Sequence, residues 1–366
     1  MTGIYIHVPF CERKCPYCAF YSGKVSAAGV CAYMEALKRN IISFPDAVKA
    51  DTLYFGGGTP ALLGTDNIAE IIALCRERFT LDDAEITLET NPNSTDREML
   101  ERLRTAGVNR LSIGVQSLND TELSFLGRLH NARQAEDALR LASEADFENI
   151  SADLMIGIKG QTPDSLRDSV ARLSSLGAVH ISAYMISVEP GTPFDRDEVR
   201  DKLMDENDIA ELYISLMESC KDFGLEQYEI SNFASADLVS RHNMKYWQGD
   251  DYLGFGPSAH SFYKGVRYYV PKDLTLFISS DRQPEIVSDP EPDRAEEYIM
   301  LGLRLSKGIS LEKAASLGVP AEKLRYIETR AELCKKNGLC TFDNGIIALT
   351  PRGMLVSNSI ITSFLA

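Results

Sequence analysis

The stretch YIHVPFCERKCPYC, Tyr5 to Cys18, sets an apolar run directly against three cysteines spaced within eight residues. Ile4–Pro9 reads as a strand, and Cys11, Cys15 and Cys18 lie on the loop that leaves it. Thiolates are the usual ligands of iron–sulfur clusters, and a four-iron cube takes four ligands. Three cysteines on one tight loop can wrap three irons and leave the fourth to a ligand that is not protein. Zinc is the rival occupant, because closely spaced cysteine pairs also bind it. A closed zinc site needs a fourth Cys or His; His7 lies back on the strand, and no second pair follows. Cys31, Cys75, Cys220, Cys334 and Cys340 are scattered and read as buried or free structural thiols.

Outward from this loop, apolar β-rich runs alternate with helical segments. Candidate strands are Ile4–Pro9, Thr52–Gly56, Glu85–Glu89, Arg110–Gln116, Ile150–Gly157 and His180–Ser187, about 30 residues apart as βα units are. Runs such as LYFG and ADLMIG suit parallel strands buried on both faces. Thr95 and Glu98 have capping-box spacing, with Gly107 closing that helix. Thr162-Pro163 opens another helix that ends at Gly177. Six successive units predict an α/β fold, an incomplete parallel (βα)6 barrel, with a smaller α+β C-terminal domain. A doubly wound open sheet gives the same alternation, and periodicity alone leaves it open.

Past residue 200 the pattern changes. Asp205–Phe223 reads as an amphipathic helix, Tyr228–Phe233 as an extended piece, and Asp281–Asp293, with Pro284, Pro290 and Pro292, as a linker. Leu339–Leu349 reads as a hairpin turned by Asp343-Asn344-Gly345, inside a terminal domain of winged-helix kind. The expected division is 1–205 for the partial barrel, 206–280 for an extension and 281–366 for the terminal domain.

The chain of 366 residues carries a formal charge of −15. Such a surface repels a phosphate backbone, so nucleic acid is not expected as a partner. No run of 18 apolar residues and no secretory signal is legible, which predicts a cytoplasmic protein.

Polar residues gather at the strand ends. Gly56-Gly57-Gly58-Thr59-Pro60 closes the second strand, where glycines let backbone N–H groups approach a ligand. Glu89, Gln116, Arg128 and Asp153 fall at or just beyond later strand ends, which converge on one face of a parallel barrel.

With these residues assembled, the cysteine spacing resembles that of the radical S-adenosylmethionine (SAM) superfamily. YIHVPFCERKCPYC resembles the start of the oxygen-independent coproporphyrinogen III oxidase family. YEISNFA, the GxGxxAHS pattern at Gly254–Ser261 and LGLRL at Leu301 extend the likeness over nearly the whole chain. The resemblance implies a [4Fe–4S] cluster on Cys11, Cys15 and Cys18, whose open iron binds SAM for cleavage to a 5′-deoxyadenosyl radical. It implies SAM contacts at Tyr5, Tyr17, Gly57, Gly58, Thr59, Glu89, Gln116, Arg128 and Asp153. Met185, Ile156 and Lys159 depart from the family pattern, which leaves contacts to a second ligand less defined.

Two features separate branches of this family. Phe20 stands where the oxidase carries a fourth cysteine, and the oxidase's long segment before the first strand has no counterpart ahead of Tyr5. Both point to the haem-binding HemW branch, as does the HNxxYW motif within Arg241–Trp247. The resemblance implies haem contacts at His242, Asn243, Tyr246 and Trp247. A neutral imidazole is a common haem-iron ligand, and on a helix His242 and Tyr246 share a face at i, i+4. The residues alone favour a capped loop with a partly buried aromatic pair, and it is the resemblance that turns the reading toward haem. His260 is a second haem candidate. Two functions therefore stand: a haem chaperone with haem, recipient haem proteins and an electron donor as partners, or a SAM-dependent oxidase of porphyrin biosynthesis. A homodimer and peripheral membrane association through the recipients are left open.

Overall fold

The computed structural model describes all 366 residues. Six strands run parallel and side by side in chain order: β1 (Thr2–Val8), β2 (Ala50–Gly57), β3 (Glu85–Thr90), β4 (Arg110–Gln116), β5 (Asn149–Ile156) and β6 (His180–Met185). That order removes the doubly wound alternative, in which the order reverses at a switch point and helices cover both faces. Right-handed crossovers, the near-universal hand, put every connecting helix on one side of a sheet built in sequence. Successive helices accordingly pack on one another, Ala27–Ser43 on Thr65–Arg78 and the latter on Arg97–Ala106.

The partial barrel is extended at both edges into a 12-stranded sheet. β7 (Glu226–Glu229) and β8 (Asn232–Ala234) form an antiparallel pair, of which β8 lies against β6. On the far side β9 (Tyr252–Phe255) runs parallel to β1, followed by an antiparallel meander of β10 (His260–Tyr263), β11 (Val266–Tyr269) and β12 (Ile286–Asp289).

Residues alternate along each barrel strand, as the two-residue period of a strand requires. One set packs under the helices: Ile4 and Ile6, Leu53 and Phe55, Ile86 and Leu88, Leu111 and Ile113, all at most 2% exposed. Register aligns them, with Leu53 opposite Ile86 and Leu88 opposite Leu111. The other set is buried too, yet polar: Thr52, Glu85, Thr87, Arg110, Ser112, Ser151, His180 and Ser182. The strands are thus covered on both faces, but only one face is hydrocarbon.

Several local expectations change. Asp96, not Thr95, caps the helix Arg97–Ala106, accepting from Met99 N at 2.8 Å. The Thr95 hydroxyl instead donates to the Asn91 carbonyl at 2.9 Å, so no Thr95–Glu98 capping box forms. Gly107 closes that helix at φ 107°, and Thr162 caps the helix Pro163–Ser175. Tyr228–Phe233 is not one extended piece, because Ile230 and Ser231 turn the chain between β7 and β8. The 281–293 segment is not wholly a linker, since Tyr268 pairs with Val287 and makes β12 the sheet's edge. Near the C-terminus, β13 (Ile309–Ser310) precedes the helices Leu311–Ser316 and Ala321–Lys336. The expected hairpin follows as β14 (Cys340–Asp343) and β15 (Ile346–Leu349). Asn344 and Gly345 take φ of 53° and 76°, the left-handed pair a type I′ turn needs. One continuous apolar core runs from Ile4 to Phe364. No helix is long and apolar enough to cross a membrane.

Replacing Asp96 by Ala should lower unfolding stability by about 0.5–2 kcal/mol in denaturant titration, as loss of an N-cap does.

Candidate functional site

Beyond β1, Phe10 and Cys11 pair with Gly23 and Lys24. This short ladder closes residues 12–22 into a loop holding Cys15 and Cys18. All three thiols are free of disulfides and partly accessible. Thr59 Oγ1 donates to Cys11 Sγ at 3.8 Å, and Arg128 Nη1 donates to Cys15 Sγ at 3.4 Å. Burial pushes the Cys18 thiol pKa up, and the neighbouring Cys15 and Cys11 push it further. No three His, Cys, Asp or Glu side chains meet closely enough to hold one metal ion. A four-iron cube offers its irons at separate corners, so its thiolates need not meet at a point. The loop fits a cluster better than a single zinc ion.

The glycine turn after β2 is tied to this loop rather than open to a ligand. Gly58 N donates to Val8 O at 2.8 Å and Thr59 N to Phe10 O at 2.7 Å. A Cβ on Gly58 would sit 2.3 Å from Phe10 O, a contact no side chain tolerates. Gly57, at φ 108°, donates its N–H to Glu89 Oε2 at 3.2 Å. The three N–H groups expected to face a ligand are all used within the protein, and their work here is to fix the root of the cysteine loop.

Arg128 is the centre of the polar cluster. Its Nη2 donates to Gly114 O at 2.8 Å and to Asn91 Oδ1 at 2.5 Å. Its Nη1 also reaches the Tyr17 hydroxyl at 3.5 Å, while its buried Nε has no partner. Asn91 in turn donates to Thr59 Oγ1 at 2.9 Å, and Cys15, Thr59, Asn91 and Arg128 line a small recess of about 30 Å³ that opens to solvent. Gln116 ends β4 with φ +67°, a conformation seldom taken by residues with a side chain and typical of functional strand ends.

Deeper on the same face, Glu89 accepts from the Tyr54 hydroxyl at 2.8 Å. Burial raises its pKa to about 7, the Tyr54 hydrogen bond opposing and nearby Asp153 adding to the shift. Asp153 accepts from Ser112 at 3.0 Å and is likewise raised by burial. Tyr5 is held at 3.2 Å from His7 Nδ1. The structure thus gathers Cys11, Cys15, Cys18, Tyr17, Thr59 and Arg128 at the carboxyl ends of the strands, with Tyr5, Glu89 and Asp153 beneath.

The HNxxYW motif lies elsewhere. Its helix, Arg241–Gln248, closes the opposite end of the face, where the strands begin. Glu85 accepts the N–H groups of Arg241 and His242, each at 3.0 Å, and so anchors the helix N-terminus. Lys245 pairs with Asp51 at 2.7 Å and donates to Met1 O at 2.8 Å. His242 is 1% exposed, and both ring nitrogens are engaged, Nδ1 with Thr52 Oγ1 and Nε2 with Tyr246 OH, each at 2.8 Å. Burial drives its pKa down to about 3. The expectation that His242 ligates haem iron is therefore corrected: no nitrogen is free, and the ring is sealed inside the barrel floor. The Tyr246 hydroxyl is spent on that same bond, while its ring lines a neighbouring cleft. Trp247 lies roughly 140° round the helix from His242 and builds no wall beside it. Asn243 donates its backbone N–H to the Ser240 hydroxyl, which caps the helix.

Comparison with known proteins places this geometry. Residues 5–173 match the Radical SAM superfamily and residues 289–356 the HemN C-terminal domain. The chain is 34% identical to the heme chaperone HemW of Bacillus subtilis (strain 168), over 100% of this chain and 99% of that protein. It is 30% identical to the heme chaperone HemW of Lactococcus lactis subsp. lactis, over 100% and 97%. It belongs to the HemW family of radical SAM proteins. Coproporphyrinogen III oxidase (HemN) from Escherichia coli, described as a radical SAM enzyme, shares the fold at a TM-score of 0.84. That likeness covers 99% of this chain and 89% of the other at 22% identity.

Within this HemW-family chain, the sequence reading missed Asn91 and the Gly114 carbonyl, which aim Arg128. Asn91 follows directly on the end of β3, and a carbonyl leaves no mark in a sequence. Of the departures from the family pattern, Ile156 is core, Met185 is partly exposed at the end of β6, and Lys159 donates to Asp201 O.

Replacing Cys11, Cys15 and Cys18 together by Ala should abolish the roughly four irons per chain expected of a reconstituted cube. Changing Cys31, Cys75, Cys220, Cys334 and Cys340 to Ala should leave the iron in place, as chemical iron analysis would show. A second expectation concerns pH. The folded pKa of Glu89 lies above its unfolded value, so its protonated form contributes stability fully present below about pH 4.5. That stability is lost as pH rises through about 7. Glu89→Gln should therefore gain up to roughly 3 kcal/mol relative to wild type between those limits, read by chemical unfolding at each pH.

Proposed function

We propose that this chain is a haem chaperone: a radical SAM protein that binds haem and delivers it to recipient haem proteins. A [4Fe–4S] cluster on Cys11, Cys15 and Cys18, and SAM beside it, complete the proposal. The observation that carries it is the cysteine loop. Three unpaired thiols sit at the carboxyl ends of a partial barrel, with a guanidinium at one of them. Phe20, where the oxidase has its extra cysteine, is an exposed phenyl ring. Full-length relatives named heme chaperones support the haem half of the reading.

The chain's own residues account for SAM recognition by charge. Arg128, fixed by Asn91 and the Gly114 carbonyl, presents a cation beside Cys15 and suits a carboxylate. Glu89 suits an ammonium or ribose hydroxyls, and Tyr54 and Gly57 N–H fix its two oxygens. When bound, the reduced cluster supplies one electron to SAM, for which an electron donor is needed. Eight cysteines without a disulfide fit a reducing compartment such as the cytoplasm.

Anaerobically purified, cluster-loaded protein given haem or coproporphyrinogen III separates the two functions. The expected outcome is a shifted Soret band with a dissociation constant of about 1 μM or tighter. No protoporphyrinogen IX should form with SAM and a reductant present. Turnover to protoporphyrinogen IX without haem binding would reverse the assignment.

A further inference from the structure

Of five histidines in the chain, four are committed to the fold. His7 is bonded to Tyr5 OH and Tyr21 O, His180 to Ser151 and Tyr228, and His242 to Thr52 and Tyr246. His130 is bonded to Val115 O, and its other nitrogen is sealed from solvent. His260 alone is exposed, with neither ring nitrogen hydrogen-bonded. Its orientation is nonetheless set: β10 pairs it with Tyr269, whose ring stacks on it at 5.5 Å and 25°.

His260 lines a cleft where the β9–β12 extension meets the cysteine loop. Phe20, Tyr21, Tyr246, Tyr252 and Lys272 also line it, and its volume is about 340 Å³. That size lies within the range of small-molecule sites, about 300–1,000 Å³. Phe20 is 69% exposed, an apolar ring on the cysteine loop with nothing over it. Lys272 is exposed and makes no ion pair. An occupant matched to this lining is broad, flat and mostly apolar, carries a carboxylate for the lysine, and brings a metal that accepts imidazole nitrogen. Partial burial, with Lys272 adding, lowers the pKa of His260, in the direction that favours the neutral, ligating ring.

We propose that haem binds in this cleft, with His260 as an axial ligand to iron, Lys272 on a propionate and Phe20 against the macrocycle. The HNxxYW helix then serves the site indirectly: Tyr246, locked by His242, forms part of the cleft wall. This inference deepens the haem reading above and rests on it.

The test titrates haem and metal-free protoporphyrin IX into cluster-loaded wild type, His260→Ala, Lys272→Glu and His242→Gln. In His260→Ala, haem should bind at least tenfold more weakly and lose the low-spin imidazole signature in absorption and EPR. Added imidazole should restore that signature, while the iron content of the cluster and the far-UV circular dichroism stay unchanged. Lys272→Glu should weaken both porphyrins several-fold with the haem spectrum preserved. His242→Gln, which can keep hydrogen bonds to Thr52 and Tyr246, should retain the wild-type signature. A wild-type spectrum and affinity in His260→Ala, or loss of the signature in His242→Gln alone, would overturn the site. Failure of wild type to bind haem would overturn the chaperone reading and the site together.

Discussion

Adding each parallel strand beside the one before it sends every right-handed crossover to the same side of the sheet, so the opposite face of β1–β6 has no crossover helix to cover it. That face is covered instead by the curved sheet itself, the cysteine loop and the helix Arg241–Gln248, and the strands carry Glu85, Glu89, Arg110, Ser112, Ser151, Asp153, His180 and Ser182 on that side. Burying such groups is costly unless each finds a partner. Much of the remaining architecture supplies those partners. Burial lowers the pKa of His180, with the charge of Arg110, itself 2% exposed, adding to the shift; burial raises Glu89 and Asp153, which the same charge opposes as a lesser effect.

The two ends of this polar face are finished differently. At the strand starts, the helix Arg241–Gln248 closes the floor, its N-terminus on the Glu85 carboxylate and its interior bonded to Thr52 and Asp51. At the strand ends no helix intrudes; the cysteine loop arches over instead, held down by Gly58 and Thr59. The asymmetry separates roles that the sequence mixes. Buried hydrogen bonds and an ion pair close the floor, while accessible thiols, the Arg128 guanidinium and an exposed phenyl ring lie at the mouth.

Much of this was legible beforehand because it depends on local chemistry. The six strands follow from β-rich runs, and the I′ turn at Asn344-Gly345 follows from residues that accept positive φ. The cysteine loop follows from spacing alone. What stayed hidden depends on tertiary partners. Glycines after β2 look alike whether their N–H groups meet a ligand or the backbone of Phe10. Thr95 and Asp96 are both plausible caps until the Asn91 carbonyl claims the Thr95 hydroxyl. The Ile286–Asp289 edge strand is masked by flanking prolines. The HNxxYW histidine was read as a ligand on the family resemblance, and a sequence cannot show that Thr52 and Glu85, distant in the chain, take up the helix and its ring. His260 was visible only as a weaker candidate, since its value lies in the other four histidines being occupied.

The central claim is that this face receives its small-molecule cofactor at the mouth while its floor stays shut. Hydrogen–deuterium exchange of the reduced, cluster-loaded protein, with and without SAM, tests it directly. The account predicts slower exchange on adding SAM in residues 11–24 and 114–131, with no change in residues 241–248. A response in 241–248, or none in 11–24, would contradict it.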